Sequence, residues 1–142
     1  MRKALLAAAV LWISVCLPAS ADPIREDHPI VGTWKIWLPG LSCGETYRIH
    51  ADGTSDVVSA DEVGESSFTI ADEPSPSGFY KMVDTIVKDN GGKDCAGAVM
   101  TIGDTSTRYL IFHPAGTSFL MCIKEDTTEC IGPFVRVKEE ST

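Results

Sequence analysis

The stretch IVGTWKIWLPGLSCGETYRIHADGTS, residues 30–55, decides the fold. Residues 33–38 read T-W-K-I-W-L and stop at Pro39-Gly40. Residues 45–50 read E-T-Y-R-I-H, where Tyr47 and Ile49 alternate with polar neighbours, the two-residue period of a half-buried strand. Asp52-Gly53 then separates this run from the next, and Asp-Gly between strand-like runs is a strong hairpin signal because the turn needs positive φ.

The same pattern continues outward. Residues 54–59 form a return strand, and Asp61-Glu62-Val63-Gly64 turns again. Residues 67–71 place Phe68 and Ile70 on one face. Residues 72–78 hold two prolines, which cannot donate to a ladder, and are expected as a loop. The longest run, 79–88, ends at Asp89-Asn90-Gly91-Gly92, a turn cluster. Further runs lie at 98–102, 107–113, 117–124 and 132–138. In the last, Phe134, Arg136 and Lys138 share one face and Val135 and Val137 the other. Strand signals spaced this closely leave no room for crossover helices, so consecutive strands should be antiparallel neighbours. The expected fold is all-β: a small antiparallel up-and-down barrel of about eight or nine short strands, since closure removes sheet edges. A two-sheet β-sandwich is the alternative.

The chain begins with Met1-Arg2-Lys3, an apolar run over 4–17, and Ala19-Ser20-Ala21. That is the pattern of a secretory signal peptide, residues 1–21, cleaved after Ala21. Its apolar run is about 14 residues, short of the roughly 20 that span a bilayer. Residues 22–142 then make a single domain, with 22–29 read as an exposed lead-in, and the expected location is periplasmic or secreted. Acidic residues outnumber basic ones, 20 to 12, and loss of Arg2 and Lys3 sharpens the imbalance. Such a surface disfavours nucleic acid and anionic lipid as partners.

Cys16 leaves with the signal, and Cys43, Cys95, Cys122 and Cys130 remain. An even number in an exported chain reads as two disulfides, with three possible pairings. Cys122 and Cys130 flank a short stretch that a hairpin would close, which leaves Cys43 for Cys95. A zinc site would want a C-x-x-C pair or histidine at ligand spacing from cysteine, and neither is present.

Catalytic signatures are not visible. No G-x-S-x-G occurs, and His28, His50 and His113 stand alone in sequence. The acidic clusters fall in turns, where solvated charge is expected, and the 89–94 loop lacks the spacing of a calcium loop. Glu45 lies within a strand and is expected to point outward, the other face remaining open to it if an arginine partners it. No metal, no cofactor and no enzymatic activity are expected.

Gly32-Thr33-Trp34 at the start of the first strand resembles the G-x-W of the lipocalin and calycin barrels, and the chain resembles small exported bacterial proteins with such a domain. The resemblance implies a tryptophan plugging the closed end of a barrel with an arginine from the last strand packed across it. Here those residues are Trp34 and Arg136, with Gly32 beside them. The chain lacks the family's helix after the barrel, and its middle motif is echoed only by Thr107-Arg108-Tyr109. Strands of this length could be filled by their own side chains. Alternation puts Trp37 on the face opposite Trp34, where with Leu38 and Leu41 it could form a contact patch. The expected function is a non-enzymatic binding protein for a small or peptide-like ligand, monomeric or weakly dimeric and not inserted in a membrane. The alternative is a periplasmic inhibitor or immunity protein that blocks a partner such as a cell-wall hydrolase.

Overall fold

The structure is a computed structural model that describes residues 21–138. The expected signal peptide, apart from Ala21, lies outside the described residues. Eight strands run in sequence order: β1 (Gly32–Trp37), β2 (Gly44–Ile49), β3 (Thr54–Ser59), β4 (Glu62–Ile70), β5 (Tyr80–Asp89), β6 (Thr105–Phe112), β7 (Ser118–Cys122) and β8 (Cys130–Arg136). Each pairs antiparallel with the next, and β1 pairs with β8, so the sheet closes into an up-and-down barrel with no helix among the described residues. Trp34 opposite Arg136 is the seam of that closure.

Closure sorts the side chains by alternation. Trp34 and Ile36 of β1, Phe68 of β4, Met82 of β5, Leu110 of β6, Phe119 of β7 and Phe134 of β8 form one buried cluster. It sits toward the end of the barrel where β1 begins and β8 finishes. There Phe119 and Phe134 stack at 4.7 Å, and Trp34 meets Phe119 edge-on at 4.8 Å. This end is the closed one, and the opposite rim carries both disulfides.

Three expectations are corrected. The ninth strand at 98–102 does not form. Asp94 ties its own loop instead: its backbone N–H donates to the Ala98 carbonyl, and its carboxylate accepts from the N–H groups of Ala96 and Ala98. Val99, Met100 and Ile102 are thereby left exposed in the β5–β6 connection. The turn expected at 61–64 is tighter, with Ala60 at φ 51° and β4 beginning at Glu62. The β5–β6 loop fixes it, since Asp61 N–H donates to the Lys93 carbonyl and the Asn90 side chain bonds both the Asp61 carbonyl and the Val63 N–H. Gly92 is essential to that docking, because a Cβ there would stand 2.1 Å from the Asp61 carbonyl oxygen.

The lead-in, expected to be exposed, is exposed at Asp22, Pro23, Arg25, Glu26 and Asp27 but is anchored across the closed end at Ile24 and His28. Its Ile24 N–H donates to the Ala51 carbonyl, and His28 and Ile30 are buried. His28 Nδ1 accepts from the Ile30 N–H, so Nε2 carries the proton toward the Ala71 carbonyl at 3.1 Å. Burial lowers the imidazole pKa and favours this neutral form.

Candidate functional site: the barrel mouth

At the closed end the Arg136 guanidinium lies 4.1 Å over the Trp34 ring. It also donates to the carbonyls of Pro29 (2.6 Å), Val31 (2.8 Å) and Gly116 (3.1 Å). The Trp34 indole N–H donates to the Ile30 carbonyl at 2.7 Å. Gly32, at φ 132°, lets the guanidinium pass, for a Cβ there would sit 2.6 Å from Arg136 Nη1. Gly32, Trp34 and Arg136 thus stopper one end of the barrel.

The other end is open. A cavity of about 450 Å³ runs in from the rim, within the range of small-ligand sites. Its depth is apolar, with Tyr47, Ile49, Met82, Phe119, Met121 and Phe134 on the walls. The barrel is therefore not filled by its own side chains. The physical reason lies in the inward positions along β3 and β4. These are Ser55, Val57, Gly64 and Ser66, too small to meet across the barrel.

The mouth is acidic. Glu45, Glu62, Glu65, Asp84, Asp94 and Asp104 face the cavity against Lys88 and Arg108. Lys88 is bound to Glu65 at 2.7 Å, and Arg108 donates to the carbonyl of its neighbour Thr107. Glu45, expected outward, points inward. Both its oxygens are occupied, by the Tyr47 hydroxyl at 2.7 Å and the Ser59 hydroxyl at 2.6 Å. Among the described residues no arginine partners it; hydroxyl donors supply what an ion pair would have. Burial, with Glu45 beside it, pushes the Tyr47 hydroxyl well above its usual pKa, so it remains a donor. Ser59 Oγ in turn accepts from the Cys95 N–H at 2.9 Å, which links the wall to the β5–β6 loop. Asp84 accepts from Ser106 at 2.6 Å.

Glu62 is different. It is 3% exposed and faces the cavity, and among the described residues its carboxyl has no hydrogen-bond or ion-pair partner. The charges that act on it are all acidic: Asp89, Asp94 and Glu45. Burial and, after it, these neighbours raise its pKa above the ordinary carboxylate value. Beside it on the rim, Asp89 Oδ2 is buried without a partner. Sequence reasoning missed Glu62 by reading 61–64 as a turn, and the alternation of β4 back from Phe68 was the signal that could have found it.

The two disulfides brace this end. Cys43 joins Cys95, pinning the β5–β6 loop beside the mouth, and Cys122 joins Cys130 across the β7–β8 hairpin. Trp37 lies on the outer face, 69% exposed, with its ring over Gly44. Leu41 is exposed with it, but Leu38 packs against the core cluster, so the three residues do not make one flat patch. Among the described residues no three histidine, cysteine or acidic side chains converge as a metal site would require.

No protein family, no curated protein and no solved structure matches this chain.

Proposed function

We propose that the protein is an exported, non-enzymatic binding protein of lipocalin-like type, which carries a small ligand in the mouth of its barrel. One observation carries this reading: a cavity of about 450 Å³ with apolar walls, open at the end opposite the Trp34–Arg136 stopper. An unfilled barrel interior forfeits packing, and a guest of matching shape restores it. The disulfides favour an oxidising compartment, which fits export. The hydroxyl–carboxylate bonds of the residues facing the cavity hold the wall in shape.

Trp37 favours a second reading, a protein partner held on the outer face near the rim. Native mass spectrometry of the protein isolated from its own periplasm or medium separates the two. A retained small molecule is the expected result. A stoichiometric protein and an empty barrel would favour the inhibitor reading.

A further inference from the structure

We propose that the barrel mouth selects an amphiphilic amine, whose ammonium group sits against Glu62 while its apolar body lies along Tyr47, Phe119 and Phe134. The inference rests on the reading of the barrel as a ligand container and adds the chemical class of the guest.

Glu62 is costly to keep ionised on the cavity wall. A carboxylate on the wall of a largely apolar, acidic cavity is disfavoured unless a donor or counter-charge faces it, and the Glu62 oxygens, which open onto the cavity, bond to no described side chain. Glu45 and Asp84, also facing the cavity, already have hydroxyl donors. Glu62 has none among the described residues, and its charged neighbours from β2, β5 and the β5–β6 loop are Glu45, Asp89 and Asp94. Glu62 therefore presents an acceptor to an acidic cavity, and among the described residues no cation pairs with it.

Two classes of cation could fill that place. A metal ion wants several converging ligands, and among the described residues no such group exists. An alkylammonium needs only one or two carboxylates for its three donors, and its tail would occupy the apolar depth that a metal leaves empty. The remaining cavity charges agree: Lys88 is engaged by Glu65, so Arg108 is the single basic group facing the cavity outside an ion pair among the described residues, against the six carboxylates. An anionic amphiphile would meet repulsion on most of the rim.

The test uses three probes with one tail, decylammonium, decanol and decanoate, titrated by calorimetry into the oxidised full chain near neutral pH. The expected order is decylammonium at least tenfold tighter than decanol, with decanoate weakest. Glu62→Gln should collapse the ammonium-to-alcohol ratio toward one. If that variant does not fold, the wild-type ratio at about pH 4 replaces it, where protonated carboxyls no longer favour an ammonium that is still charged. Equal binding of all three probes, tightest binding of decanoate, or a ratio that survives Glu62→Gln would overturn the amine inference and leave the container reading standing. Binding of none of them would overturn both.

Discussion

Arg136→Met is the substitution that most directly tests how the barrel is closed. Methionine keeps much of the side-chain length over Trp34 and removes the charge and every donor. Three carbonyls, those of Pro29, Val31 and Gly116, lose their partner, and the ring loses its cation. A hydrogen bond from a charged donor contributes about 1.5 kcal/mol net at the low end of its range, the appropriate end for a part-buried group. Three of them with about 1 kcal/mol for the cation over the indole give roughly 5.5 kcal/mol. Burial already disfavours the charged guanidinium and lowers its pKa, so removing it recovers part of that sum. The expected loss is about 4 kcal/mol, or a fall in Tm of about 15 °C for a domain of this size. Urea and thermal unfolding followed by circular dichroism would measure it. Arg136→Lys, which keeps the charge but not the planar fork, should fall between the two. If Arg136→Met unfolds within about 1 kcal/mol of the wild type, the guanidinium does not hold the lead-in across the barrel end, and the account of the stopper is wrong.

The two disulfides should differ in weight. The loop closed by Cys43–Cys95 spans 52 residues and that of Cys122–Cys130 spans 8. Chain-entropy arithmetic gives losses of about 4 and about 2.6 kcal/mol on paired replacement by alanine, and equal losses in denaturant titrations would contradict that origin. Glu62→Gln should stabilise the empty protein near neutral pH. The folded-state pKa of Glu62 is raised, so ionisation costs the folded state stability as pH rises through the ordinary carboxylate value and beyond. The advantage of the variant should therefore shrink as pH falls below about 4.5, and a Tm difference that stays constant with pH would refute the assignment. Trp37→Ser, on an exposed face, should change stability by less than about 0.5 kcal/mol. A larger loss of Tm would mean that Trp37 is structural and not available to a partner.

Much of the barrel could be read along the chain. The alternation of Tyr47 with Ile49, the Asp52-Gly53 turn and the prolines at 74 and 76 are local signals, and a strand or turn responds to its own residues first. The Asp52 carboxylate accepting from Thr54 N–H at 2.9 Å is such a signal realised within three residues. The disulfide pairing followed from spacing, because a sequence separation of 8 between Cys122 and Cys130 fits a closed hairpin. Where local pattern and long-range contact competed, the reading failed. Residues 98–102 have strand composition, but the Cys43–Cys95 bridge and the Asp94 turn keep them from any strand to pair with.

The mouth was decided by tertiary structure. Sequence alone determined an all-β chain with five cysteines, an excess of acidic over basic residues and a tryptophan placed to begin a core. Which way Glu45 points, whether the interior is full, and that Glu62 faces the cavity with no described side chain bonded to it depend on residues from distant strands meeting across the barrel. Glu45 is held by Ser59 from the next strand, and Glu62 feels Asp89 and Asp94 from nearly thirty or more residues away. The alternation within a strand gives each side chain two faces. Only closure of the sheet, β1 onto β8, makes one of them an inside, and the volume left there is a sum over all eight strands that no single segment contains.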